Sequence, residues 1–574
     1  MNNYKKTLIA VLAISILGGI IFYLYPTKRY SSDKATIANG EILFKKHCVS
    51  CHGIQDDGIG PPLGGITNLL SKKDLTSYIN NPSKVIESGN ERALALKARY
   101  KLMMPSFEHI GETEISSILS YIDQQTKTHD IKPLEVIKNS NQAGLTGRLV
   151  APIKKSELTI ELEEIVQLPL IDTTAYLGVV TLRTHPSGDG TLFASDQNGV
   201  IYKINEGKSS VYLDIRNEIE DFQSGPGIAT GLGSFDFHPD FLNNGLIYIS
   251  HAETFKGQKA DYTATLDSLE SEVQWVIAEW KVDDVKAPVF KGTHRELLRT
   301  HAPNFAHGCQ EVAFIPELNK NDPDYGLLYI GYGDGGSNNI KHPELGHHLK
   351  SFLGTIIRID PKGDNSKNGN YGIPVSNPFA NDPDTTIVKE IYAYGFRNPH
   401  RMSWDHSSGN MMIATDIGEA NIEEINIIEN GGDYGWPNRE GEYGIETLKD
   451  LKSVYKLSKT ETSLYKNPYA QYDHEDGNAI SGGHVYDGNL EALKHKYIFG
   501  DIVTGKLFYT DINLQHNDST IYELNIINNG KKTTLQELSN TKRLHLRITY
   551  DQINKELYLI TKSDGKIRRI VKAY

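Results

Sequence analysis

From residue 191 to the C-terminus the chain repeats one small pattern six times: a short apolar, β-branched run, a turn, and a second such run. The pairs fall at 191–194 with 199–202, 245–248 with 276–280, 327–330 with 354–359, 411–414 with 424–428, 497–499 with 506–509, and 557–560 with 566–570. A unit too small to bury its own faces must stack on its neighbours. A sixfold recurrence therefore predicts six sheets around an axis, an all-β six-bladed propeller. Two packed sheets of a sandwich also use short strands, but that architecture does not call for one strand-turn-strand unit six times over. About 420 residues over six units leave about 70 each, more than four strands need, so long loops build a pocket on one face. Composition agrees, since 51 Gly and 31 Tyr with only 3 Cys in 574 residues describe turn-rich β-structure without a disulfide framework. A net charge of -12 excludes nucleic acid, whose phosphates need a basic surface.

Ahead of the repeat the chain reads differently. Residues 8–25 are almost continuously apolar and follow Lys5 and Lys6. At about 1.5 Å of rise per residue such a helix just spans a bilayer, with its basic flank in the cytoplasm. Pro26 to Tyr30 lack the small-residue pattern of a cleavage site, and no Cys stands there to take a lipid. Residues 1–30 are thus expected to be a cytoplasmic tip and uncleaved transmembrane signal anchor, with a cleaved secretory signal as the alternative. Both export the body, which is expected on the periplasmic face of the cytoplasmic membrane.

Cys48-Val49-Ser50-Cys51-His52 sets two thiols three residues apart directly before an imidazole. That spacing lets both sulfurs form thioethers to haem vinyl groups while His52 coordinates the iron. A zinc site would need two more soft ligands, and the remaining cysteine is the distant Cys309. Ile37, Gly40, Glu41 and Phe44 predict an amphipathic helix running into Cys48, and Ile115, Ile118, Leu119 and Ile122 predict a second over 113–125. Between them, Met103-Met104-Pro105 offers a thioether as sixth iron ligand. This segment, 34–127, resembles the small class I c-type cytochromes. The resemblance favours Met104, directly before proline, and makes Gly60-Pro61-Pro62-Leu63 the loop packed on the proximal side of the haem.

Residues 128–155 mix Lys, Asn, Gly and Pro without period and read as a linker to a propeller over 156–574. Within the propeller four stretches stand out. They are Asn304-Phe305-Ala306-His307-Gly308-Cys309-Gln310-Glu311-Val312-Ala313-Phe314, Tyr329-Ile330-Gly331-Tyr332-Gly333-Asp334-Gly335-Gly336, Glu390-Ile391-Tyr392-Ala393-Tyr394-Gly395-Phe396-Arg397-Asn398-Pro399-His400, and Asn430-Gly431-Gly432-Asp433-Tyr434-Gly435-Trp436-Pro437. With Phe237-His238-Pro239-Asp240-Phe241, they resemble the pyrroloquinoline quinone (PQQ) dependent soluble glucose, aldose sugar and sorbosone dehydrogenases over most of 165–574.

That resemblance implies a general base at His307, an acid at Asp334 holding its tautomer, and cofactor contacts from Arg397 and Asn398. It implies calcium held at Gly418 and Glu419 by backbone carbonyls, and a second, structural calcium at Glu424 and Tyr434. His400 stands where the glucose enzymes have a cofactor-contacting Gln. Arg543-Leu544-His545 stands where they have two Arg, Lys506 is an offset candidate for a cofactor-contacting Lys, and Ala229-Thr230-Gly231-Leu232 lacks a sugar-contacting Gln. Cys309 reads as a buried small hydrophobe, with a reactive thiol as the alternative. The expected whole is a membrane-tethered quinohaemoprotein. It oxidises a sugar, alcohol or aldehyde with PQQ and passes electrons through its own haem c to a respiratory acceptor. The rival is a binding propeller carrying an electron-transfer cytochrome, since this lineage also holds the hedgehog-interacting protein.

Overall fold

The computed structural model describes residues 30–574 except 50, 56–59, 101–102, 135–144, 171–177, 226–228, 264–270, 272, 449 and 513–518. The apolar run 8–25, and with it the expected anchor, lies outside the described residues. Among those described, no helix is long and apolar enough to cross a membrane.

The N-terminal part is helical. Helix Lys34–His47 crosses helix Glu112–Thr128, and the two bury Leu43, Phe44, Ile115, Ile118, Leu119 and Ile122 in one core with Ile66, Leu75 and Phe107. The crossing is close because of Gly40, where a Cβ would lie 2.0 Å from the Ser117 carbonyl oxygen. Asp33 caps the first helix through the Thr36 amide.

The rest builds six four-stranded antiparallel blades, of which four stand as separate sheets and the last two join into one nine-stranded sheet, because Thr159–Gln167 also pairs in parallel with Tyr522–Asn528. Every strand pair read from the sequence is the second and third strand of one blade, for example Leu192–Asp196 with Val200–Asn205 and Glu556–Thr561 with Lys566–Ala573. The sixth blade borrows its outermost strand, Thr159–Gln167, from before the first blade. That strand pairs antiparallel with Lys566–Ala573 and closes the ring.

The innermost strands carry the site. These are Val179–Thr184, Leu232–Phe237, Cys309–Phe314, Pro399–Asp405, Ile480–Val485 and Leu546–Asp551. In the first five, pairing slips just after the strand begins, at 179/181, 232/234, 309/311, 399/401 and 480/483. A bulge bends a strand and re-aims the side chain beside it, so each slip turns residues at that end toward the axis. Deeper along the axis, Glu311 takes Arg183 and Arg401, while Asp236 takes Arg183 at 3.2 Å.

The expected linker is largely docked. Ile131 and Pro133 pack against Gly64 and Gly65 of the helical part. On the other side Leu145 bridges to Val454, and the Leu149 and Val150 amides donate to the buried Asp473 carboxylate. Only 135–144 of the predicted linker lies outside the described residues. Val454 belongs to a small extra sheet, Arg439–Glu440, Tyr443–Glu446 and Asp450–Lys456, inserted into the fourth blade.

Candidate active site and haem crevice

The helical part encloses an apolar cavity of about 150 Å³ lined by Cys48, Cys51, His52, Pro61, Leu63, Met104, Phe107 and Ile118. His52 Nδ1 lies 2.8 Å from the Pro61 carbonyl, which accepts its proton and leaves Nε2 as the iron-binding nitrogen. Gly60 makes room for that ring, since a Cβ there would stand 2.5 Å from His52 Cε1. Of the two methionines, Met104 lines the cavity, whereas Met103 turns its carbonyl to Arg543. Two thiols, an oriented imidazole and a thioether around an apolar slot fit a covalent haem with His and Met ligands.

At the bulged ends of the inner strands lies a second cavity, about 160 Å³, lined by His307, Gln310, Arg397, Asn398, His400, Gly418, Glu419, Lys452, Arg543, His545, Arg547 and Lys562 among others. His307 Nδ1 donates to Asp334 Oδ1 at 2.7 Å, so Nε2 keeps its lone pair for a proton. Trp436 Nε1 donates to Asp334 Oδ2 at 3.0 Å, and Ser337 and the Gly336 amide complete its shell. His307 holds a left-handed backbone, φ 48°, a conformation costly for a side chain and kept only where its surroundings demand it. Burial raises the Asp334 carboxyl, but the His307 imidazole and its hydrogen bond, then Arg397, hold it below the usual carboxylate range.

With its folded value below the unfolded value of about 3.9, Asp334 contributes stability in full above that pH and loses it as pH falls through the folded value. Asp334→Asn is expected to flatten the acid limb of the stability curve below about pH 4. Thermal melts across pH would read this, and an unchanged limb would mean the dyad is not charge-assisted.

Asp416 holds the neighbouring turn by accepting the Arg397 and Asn398 amides at 2.9 and 2.6 Å. The Arg397 guanidinium then donates to Glu419 at 2.9 Å and to the Ile417 and Gly418 carbonyls at 3.1 and 2.8 Å. These include the carbonyl the resemblance gives to calcium at Gly418. Among the described residues no group of three or more His, Cys, Asp or Glu could hold a metal ion. The expected second calcium meets the same obstacle. The Tyr434 carbonyl accepts from the buried Arg439 at 3.0 Å, and the Glu424 carboxylate takes the Gly441 amide and Asn426. A guanidinium thus takes one carbonyl of each expected donor set, that of Gly418 and that of Tyr434.

Lys506, the offset candidate, is a correction. It is exposed, and its Nζ donates to the Asp476 carbonyl at 2.9 Å. Two lysines line the pocket instead, Lys452 and Lys562, the latter from the sixth blade beside Arg547. Burial first, then Arg401, holds Arg547 well below its usual range, and burial, then Arg547 and Arg401, does the same to Lys562. His400 is driven down the same way, and both its ring nitrogens are buried without a partner, as are Asn398 Oδ1 and Arg547 Nε. Five cations line this cavity against one carboxylate, Glu419, which is already paired, in a chain of net charge -12. Such a pocket suits a planar polycarboxylate such as PQQ, whose acid groups would meet Arg547 and Lys562 while its ring polar atoms meet Asn398 and His400. Gln310 reaches the Ala229 carbonyl at 3.4 Å, putting an amide where the Ala229 segment has none. Cys309 is fully buried and burial pushes its thiol up, so it acts as a small hydrophobe.

A propeller that presents a His–Asp dyad to a cationic pocket, joined to a c-type haem crevice, defines a sugar dehydrogenase-like domain fused to a cytochrome c domain. The chain belongs to the Glucose / Sorbosone dehydrogenase family, whose model matches residues 181–569, and carries a cytochrome c domain over 37–126. It is 26% identical over 396 residues to HIPL1 protein of Arabidopsis thaliana, covering 58% of this chain and 52% of that one. It is 28% identical over 229 residues to quinoprotein glucose dehydrogenase B of Acinetobacter calcoaceticus, covering 37% and 40%. The chain spans about half the length of the first of these curated relatives. The apo soluble aldose sugar dehydrogenase of Escherichia coli superposes with a TM-score of 0.51 at 17% identity, over 71% of this chain and 99% of that one, and shares the fold.

Proposed function

We propose that the chain oxidises a hydroxyl-bearing carbon of a sugar or related alcohol in the cationic pocket and delivers the electrons to its own haem c. The observation that carries this reading is the His307–Asp334 dyad, 2.7 Å across, opening into a pocket that shares a wall with the haem crevice. When bound, PQQ supplies the hydride acceptor. His307 Nε2 takes the substrate hydroxyl proton, Asp334 fixes the tautomer and stabilises the imidazolium, and Trp436 keeps Asp334 in place. Arg397, Asn398 and His400 orient the acceptor, and the deep cations Arg547 and Lys562 hold its acid groups. Because Arg397 engages the Ile417 and Gly418 carbonyls, no step is routed through calcium. A binding-only propeller gives no account of a base held by an acid at that point. The apolar run 8–25 and the haem motif support a periplasmic, membrane-tethered setting with a respiratory one-electron acceptor, which in turn oxidises the haem.

Calorimetric titration of PQQ into the haem-loaded chain, with calcium and with a chelator, tests the pocket. Saturable one-to-one binding of similar affinity in both buffers is expected. Absence of binding in both would reject the quinone, and binding only with calcium would show that Arg397 yields those carbonyls to the ion.

A further inference from the structure

Arg543 lines both cavities. Its Nε donates to His545 Nε2 at 3.1 Å on the side of the cationic pocket, and its Nη1 donates to the Met103 carbonyl at 3.3 Å on the side of the crevice. His545 can accept because burial first, then Arg543, Lys562 and Arg547, keep its ring neutral. It holds a left-handed backbone, φ 52°, as His307 does, so the fold maintains this ring at local cost. The next residue after Met103 is Met104, the thioether that lines the crevice. A nearly continuous path of covalent and hydrogen bonds thus runs from His545 through Arg543 and the Met103 carbonyl to the candidate iron ligand. Tyr100 also lines both cavities, with the Lys452 ammonium 4.7 Å from its ring centre, so the two parts meet over the pocket at more than one point.

We propose that Arg543 is a positioning residue for electron transfer, joining the substrate pocket to the methionine side of the haem. This rests on the dehydrogenase reading of the pocket. Substrate oxidation to the carbonyl compound removes two electrons and two protons: a hydride to the quinone and a proton to His307. The electrons then leave the pocket singly. Each reduces ferric haem to ferrous, an external one-electron acceptor reoxidises the haem between them, and both protons pass to solvent. Electronic coupling falls steeply at through-space gaps and persists across hydrogen bonds, so a side chain that spans the shared wall sets the rate of each transfer. Its cation beside the methionine loop also favours the ferrous state, which carries one positive charge fewer.

The test uses the full haem-loaded chain with Arg543→Gln and Arg543→Lys. Without any quinone, the haem midpoint potential and the near-infrared methionine-to-iron band of the ferric protein are measured. Arg543→Gln is expected to lower the potential and weaken the band, and Arg543→Lys to restore the potential but not the band. With saturating PQQ and substrate, haem reduction is compared with direct reduction of a dye that draws on the pocket. The ratio of haem to dye rate is expected to fall at least tenfold in both variants, because lysine cannot reach both partners. Equal losses in the two rates, or an unchanged ratio with unchanged haem spectra, would overturn the proposal while leaving the dehydrogenase reading intact. Failure of the unsubstituted chain to reduce the dye with any sugar or alcohol would overturn both.

Discussion

Substrate-dependent haem reduction is expected to fall by about 10²–10⁴-fold when His307 is replaced by alanine, the range a positioned general base contributes. The effect should appear in kcat more than in KM, because the imidazole acts as the proton leaves the hydroxyl rather than as the sugar docks. Asp334→Asn should cost a comparable factor by a different route. An amide in place of the carboxylate can present its NH₂ group to His307 Nδ1, move the ring proton to Nε2 and leave no base facing the pocket. In both variants the haem should still be attached and reducible by dithionite, since His52, Cys48 and Cys51 line a separate cavity. Full activity in His307→Ala would remove the base from the account.

Arg397→Met is expected to destabilise the propeller by about 3–5 kcal/mol, the loss seen when one partner of a buried ion pair is removed. The Arg397 and Glu419 side chains are only 5% and 3% exposed, so the carboxylate left behind has little water to turn to. Two further hydrogen-bond acceptors, the Ile417 and Gly418 carbonyls, would lose their donor. The double variant Arg397→Met/Glu419→Leu should recover most of the loss, because the buried charge is gone. Denaturant melts of the two read the difference, and a single variant as stable as the parent would show that the pair is not a buried one.

The sequence disclosed the second and third strands of every blade because those strands lie between neighbouring sheets and need unbroken apolar runs, as in Leu246–Thr254 and Leu328–Tyr332. The innermost strands were illegible for the opposite reason. They face the axis, where Arg183, Asp236, Glu311, Arg401 and Arg547 pair or crowd with one another, so no period-two apolar pattern survives. The closing strand Thr159–Gln167 joins a partner some 400 residues on, which no local pattern can announce.

At the site, His307, Asp334, Arg397, Asn398, His400, Arg543 and His545 were legible only through resemblance, and the structure brings all but Asp334 around one cavity, with Asp334 behind His307. Lys506 is a candidate only by its offset along the chain, yet the pocket is lined by Lys452 and by Lys562 of another blade, because a ring brings strands distant in sequence to one axis. Trp436 lay in plain sight within a quoted motif. Its role as a donor to Asp334, 102 residues away, became visible only when the loop was seen folded over. The calcium positions come from resemblance alone, since backbone carbonyls carry no signature in sequence and either a guanidinium or a dication can claim them.

The central claim is that one chain both oxidises substrate in the propeller and collects the electrons on its own haem. Anaerobic spectrophotometry of the haem-loaded chain, reconstituted with PQQ and titrated with a panel of aldoses, ketoses and alcohols, tests it most directly. Growth of the ferrous α-band with a subset of the panel, dependent on PQQ and independent of protein concentration when expressed as a first-order rate, is the predicted result. A haem that dithionite reduces but that no substrate reduces in the presence of bound PQQ would contradict it.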